Sequence, residues 1–214
     1  MNRALMACIV LVVALTTVAS RSLADEPGAG PWKVIFDGKS LEGWKANEHP
    51  EGWTIEDGVL VGRGPRTHLF YVADDVKDFE LKADAKISKG GNSGIYFHVK
   101  FHEPGWFYDG HEVQINNTHA DPVRTGSLWA VVKLHESPVK DNEWFRMHVR
   151  VQGRNALVWI NDKLVVDYDE PAGIPGERRI GHGYFALQQH DPSGVARFRN
   201  VMYRTLPPVQ APGR

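Results

Sequence analysis

Seven stretches of this chain alternate side chains, or run β-rich, with a period of two: FELKADAKI (79–87), NSGIYFHV (92–99), HEVQIN (111–116), FRMHVRVQG (145–153), NALVWIND (155–162), KLVVDYD (163–169) and ARFRNVMYRT (196–205). A surface helix would repeat its apolar residues every 3.6 positions, and no segment does so convincingly. Turn signals punctuate the stretches at Asp37-Gly38, Asp57-Gly58, Gly90-Gly91, Gly153-Arg154-Asn155 and Asn161-Asp162. Short strands at this spacing, without an internal repeat, predict an all-β sandwich of two antiparallel sheets.

The N-terminus reads differently. Arg3 precedes an apolar run over 4–18, and small residues continue to Ser22-Leu23-Ala24. A basic start, a short apolar run and an A-x-A-like end predict a signal peptide over 1–24, cleaved after Ala24, since a membrane span takes roughly 20 apolar residues. The mature protein is then expected in the periplasm or secreted, with no membrane partner. Cys8, the single cysteine, falls inside that leader. The exported domain would contain no disulfide and would rely on a packed core, for which about 190 residues suffice. Pro/Gly-rich 25–31 and 207–214 are expected to be flexible flanks around one domain over 32–206. With 25 basic and 26 acidic residues, the net charge of −1 gives no field to attract polyanions, which argues against nucleic acid.

The polar residues of the strands carry the functional signal. Alternation puts Glu112, Gln114 and Asn116 on one face of their strand and His111, Val113 and Ile115 on the other. It likewise groups Asn92, Gly94, Tyr96 and His98, and, in FALQQH, Ala186, Gln188 and His190. Rows of donors and acceptors suit a ligand with many hydroxyls, although a solvated sheet face is the plain alternative. Gly94 would let a ligand or a backbone come close. The run SLWAVVKLH, read as a strand, turns Trp129 and Lys133 toward the same platform, while spacing alone favours a solvated Lys133. Trp44 and Trp53 are expected in the core. Trp106, Phe107 and Tyr108, in a long loop over 100–110, are expected to stack on sugar, and loops over 117–125 and 171–179 could rim the face. Arg199 and Asn200 are expected to fix strand register. His190, beside Asp191-Pro192, is either a turn residue or a proton carrier near neutral pH. His98, His102, His111 and His119 lack zinc-like spacing, and Asp37 or Asp191 lacks the regular oxygen spacing of a calcium loop, so no metal and no cofactor is expected.

Taken in order, VIFDGKSLEGWK, WTIEDGVLVG, DFELKADAKI, GGNSGIYFHV, DGHEVQINN, TGSLW, NEWFRMHVRVQGRNALVWINDKLVVD and GYFALQQHDPSGVARFRNV resemble the 3-keto-disaccharide hydrolase domain family over nearly the whole mature chain. The chain departs from the family's usual pattern at His98, where Arg is frequent, and at Asn116, where Asp is frequent. The resemblance implies a concanavalin-like jelly roll with a saccharide on its concave face. Glycosidases of that architecture use a Glu-x-Asp-x-Glu row, whereas this chain has Glu112-x-Gln114-x-Asn116. An ordinary two-carboxylate reaction would need a second acid from elsewhere, such as Glu103 or Asp109.

A 3-keto group acidifies C2–H, so the resemblance implies elimination of the C1 substituent followed by hydration. Glu112 and His190 are expected to share the base and acid roles. Lys133, Gln188 or Gln114 would stabilise the enolate, and Asn92, Tyr96, His98, Asn116, Trp129, Trp106 and Tyr108 would hold the saccharide. A partner sugar oxidoreductase would supply the keto-sugar. A non-catalytic carbohydrate-binding module is the competing expectation, and a protein-recognising adhesion domain ranks third.

Overall fold

A computed structural model describes residues 28–209, and the expected leader over 1–24 lies outside them. The architecture is two antiparallel sheets, with a single short 3-10 turn at Pro50–Gly52 among the described residues. In the larger sheet the order is β11 (Lys163–Asp169), β10 (Asn155–Ile160), β9 (Phe145–Gln152), β6 (Phe79–Ile87), β13 (Ala196–Thr205), β4 (Val59–Gly62) and β3 (Trp53–Glu56), and β1 (Lys33–Phe36) also pairs with β13. The smaller sheet runs β2 (Trp44–Ala46), β5 (Thr67–Val76), β12 (Gly183–Gln189), β7 (Ser93–Val99) and β8 (His111–Ile115). This is the expected jelly-roll sandwich.

The core fills the space between the sheets. Leu81, Ala83, Ala85 and Ile87 of β6 face Ile95 and Phe97 of β7, Val113 and Ile115 of β8, and Phe185 and Leu187 of β12. Period-two alternation therefore sends the intervening residues of the smaller sheet to its opposite face, where the ladder aligns Phe70, Ala186, Tyr96 and Glu112 across four strands. A smaller apolar cluster of Phe70, Tyr96, Val99, Phe107 and Ala186 sits there beneath the 100–110 loop. Trp53 is buried and Trp44 half-buried against the core, as expected.

Two departures from simple alternation matter for the site. Tyr184 and Ala186 of β12 pair with Val99 and Tyr96, so β7 carries one extra residue at a bulge, and His98 there has φ 58°. The run 127–135 is not a strand: Leu128 bridges Val132 across a tight turn, with Ala130 at φ 62°. Asn200, φ 52°, marks the register shift in β13, and its amide and the Arg199 guanidinium both approach Asp84, at 2.6 and 3.6 Å.

Candidate active site

The outer face of the smaller sheet floors a cleft of about 220 Å³, room for about seven waters. Strands β7, β8 and β12 contribute Tyr96, Glu112, Gln114 and Gln188; loops add Trp106, Tyr108, Asp121, Trp129, Arg178 and His190. Glu112 is 6% exposed, and burial pushes its carboxyl up to about 7 against a hydrogen bond from Tyr96 and the field of Arg178, both of which pull it down. Gly94, one strand over, does not make room for a ligand. A Cβ there would lie 2.7 Å from the Glu112 Cγ, so the missing side chain is the space the carboxylate arm occupies.

The amides brace this floor. The Gln114 amide donates to Asn92 Oδ1 at 2.5 Å, and the Gln188 amide donates to the Tyr96 hydroxyl at 2.8 Å and lies 3.3 Å from His68 Nε2. His68 is fully buried, and burial lowers it to about 3, so it is neutral and accepts the Gln188 N–H through Nε2. Its ring also stands edge-on to Phe107, Tyr96 and Trp106. Sequence reasoning misses His68 because in THLFYVADDV it alternates with Phe70 and Val72 on a mostly apolar face; only the cross-strand register puts it opposite Gln188.

The loops deliver the remaining groups. Phe107 buries itself against Phe70, Tyr96 and the stacked His102 ring, anchoring the 100–110 loop so that Trp106 (46% exposed) and Tyr108 (60%) stand at the rim. Arg66, held by Glu48 at 2.8 Å, lies 4.8 Å over the Trp106 ring. Arg178 comes from the 170–182 loop, which Glu170 fastens by accepting the Ile180 N–H at 2.8 Å and pairing with buried His111 at 3.3 Å. Its guanidinium lies 4.8 Å over Trp129. Spacing pointed to that loop as a rim, but nothing in it distinguished Arg178 from Arg179. His190 follows β12 directly; its Nδ1 lies 2.5 Å from Asp191 Oδ2, and its ring packs beside Trp106 and His119.

Three expected site residues lie elsewhere. Lys133 is exposed and away from the cleft, because the tight turn at Leu128–Val132 breaks the alternation that would have carried it there. His98 is turned out by the β7 bulge: its Nε2 donates to Lys77 O at 2.8 Å, its Nδ1 accepts the Gly181 N–H at 3.0 Å, and burial lowers it to about 4. Asn116 is fully buried and shapes the 117–125 loop, donating to Asp121 O and Val123 O and accepting the His119 N–H. Asp109 is occupied by His102 and the Lys100 N–H, so the second carboxylate at the cleft is Asp121.

One atom each from His119, His190 and Asp191 falls within 4.8 Å of the others, a spacing a cation could bridge. The hydrogen bonds oppose that use. His119 Nδ1 accepts the Asp121 N–H at 3.0 Å, so its Nε2 carries the ring proton and points it at Asp191, 3.5 Å away.

The fold has counterparts among known proteins. A stretch of 76 residues is 40% identical to a 3-keto-disaccharide hydrolase of Bacteroides thetaiotaomicron, covering 30% of this chain and about a quarter (26%) of that relative's length. The crystal structure of a candidate glycosyl hydrolase from Parabacteroides distasonis superposes with a TM-score of 0.71 at 26% identity, over 82% of this chain and 94% of that one. A Bacillus subtilis carbohydrate-binding module of the CBM66 class shares the fold at 18% identity and TM-score 0.56, over 76% and 96% of the two chains. Residues 31–204 match one family model nearly from end to end of the described sandwich, and the chain belongs to the 3-keto-alpha-glucoside-1,2-lyase-like domain family.

Proposed function

We propose that this domain cleaves 3-keto-glycosides by removing the C2 proton, expelling the C1 substituent and adding water to the resulting enone. The observation that carries the reading is the pairing in one cleft of a buried carboxyl, Glu112, whose protonation midpoint lies near neutrality, with an imidazole, His190. Such a pair offers one group to take a proton and one to give it, and general acid–base help of this kind is worth about 10²–10⁴-fold in rate. Arg178 takes the part first assigned to Lys133, since it is the guanidinium that lines the cleft and can meet the enolate oxygen. Trp106, Tyr108 and Trp129 offer faces to the sugar and its leaving group. The reading includes export of the mature protein and an oxidoreductase that forms the 3-keto group.

Asp121 favours a second reading, hydrolysis of an unoxidised glycoside by Glu112 and Asp121 as two carboxylates. Incubating the purified mature protein with a disaccharide and with its 3-keto derivative separates the two. Release of monosaccharide from the keto-sugar alone, with transient enone absorbance, is expected. Equal cleavage of both sugars would favour the carboxylate pair, and binding without cleavage of either would make the domain a lectin-like module.

A further inference from the structure

Asp191 lies between two histidines whose proton positions can be read from their partners. We propose that Asp191 is a positioning residue that fixes His190 with its proton on Nδ1, so that Nε2 is the base for C2–H and Glu112 is the acid for the leaving oxygen. The role assignment rests on the elimination reading above.

The geometry leaves little choice of tautomer. Asp191 Oδ1 accepts the Ser193 N–H at 2.7 Å, and burial, which would raise the carboxyl, is outweighed by hydrogen bonds from Ser193 and His190 that hold it below its ordinary range. An ionised carboxylate only accepts, so the His190 Nδ1 at 2.5 Å must carry hydrogen. The neutral ring then keeps its lone pair on Nε2, the nitrogen left for the cleft that His190 lines. On the other side His119 is fixed as well: the Asp121 N–H occupies its Nδ1, leaving Nε2–H to face the same Asp191 oxygen. Asn116 holds that arrangement by accepting the His119 N–H at 2.9 Å. Two ring protons therefore converge on one carboxylate.

The cycle closes without any other reactant. His190 Nε2 takes the C2 proton, and the C–H pair becomes the C2–C3 double bond as the ketone oxygen gains charge opposite Arg178. When the ketone re-forms, the C1–O bond breaks and the leaving oxygen takes the Glu112 proton. Ionised Glu112 then accepts a proton from the water that attacks C1, and the His190 imidazolium returns its proton to C2, which restores both groups. Asp191 stabilises that imidazolium, as an orienting carboxylate does beside a catalytic imidazole.

The test is ¹⁵N NMR of the ring nitrogens in the free mature protein at pH 8.5, with the His190 signals assigned from His190→Gln. A protonated Nδ1 and an unprotonated Nε2, unchanged by EDTA, are expected. Asp191→Asn should mix or invert the tautomers and lower kcat by about 10²–10⁴-fold with KM nearly unchanged. Asp191→Glu should recover part of kcat. An Nε2–H ring in the wild type, a tightly bound metal on His190, or an Asp191→Asn enzyme with kcat within threefold of wild type would overturn the proposal. Because the tautomer is read without substrate, an Nδ1–H ring in a protein that cleaves no keto-sugar would overturn the elimination reading and leave the ring assignment standing.

Discussion

Glu112→Gln isolates the energetic cost of keeping an ionisable group on the cleft floor. The change preserves side-chain shape and removes ionisation. Burial raises the Glu112 carboxyl from an ordinary 4.5 to about 7 in the folded protein. Folding is therefore favoured when this group is protonated in both states, below about 4.5, and the advantage is lost as pH rises through about 7, because the unfolded chain ionises first. Each pH unit between those values is worth about 1.4 kcal/mol, so wild type should lose roughly 3 kcal/mol from this group between pH 4 and pH 8.5. The glutamine does not titrate. Urea unfolding followed by tryptophan fluorescence, at half-unit pH steps, should show the variant gaining about 3 kcal/mol on wild type over that range, on the order of a quarter or more of a typical domain's stability. The midpoint of the gain should lie between 4.5 and 7. A difference that stays flat with pH would mean that Glu112 ionises in the folded protein as freely as in the unfolded chain, and the argument for an acid poised at neutrality would collapse.

The same carboxyl has neighbours that can be changed. Tyr96→Phe removes a hydrogen bond that lowers the Glu112 midpoint, so the descending limb of kcat/KM near pH 7 should move upward; an unmoved limb, or an ascending one, would count against Glu112 as the acid. Gly94→Ala should destabilise the fold by about 1–3 kcal/mol, because the new methyl would overlap the buried Glu112 arm as far back as its Cγ, and should lower kcat by about 10²-fold as the carboxylate leaves its place; kcat within twofold of wild type would refute this. Lys133→Ala should leave kcat unchanged, whereas Arg178→Met should lower it by about 10²-fold or more, measured side by side on the keto-sugar.

What could be read from the sequence follows from how far each residue's position depends on its own strand. β6 and β13 match FELKADAKI and ARFRNVMYRT residue for residue, because each buries one face in the core; in β13 the alternation breaks only at Arg199-Asn200, where the register shifts. Glu112 and Gln114 lay on the predicted side for the same reason. His98 broke the pattern through a bulge visible only in the pairing with β12, where Phe185 alone opposes Phe97 and His98. Lys133 failed because LWAVV is as apolar as a strand and becomes a turn only through the Leu128–Val132 bridge and the contact of Leu128 with Val113. Periodicity registers local alternation and is blind to both events.

Asn116 was read correctly as facing away from Ile115 but assigned the wrong task, and the reason bears on the chemistry. An aspartate at this position could accept the His119 N–H but could not donate to the two carbonyls of Asp121 and Val123 that the Asn116 amide holds. The amide that appeared to remove a proton carrier from β8 instead secures the loop that presents Asp121 and His119. Through His119 that loop reaches Asp191, and through Asp191 it reaches His190. The strand face therefore supplies Glu112 directly and disciplines its partner indirectly, which is why a single carboxylate in the row is compatible with two-group acid–base chemistry.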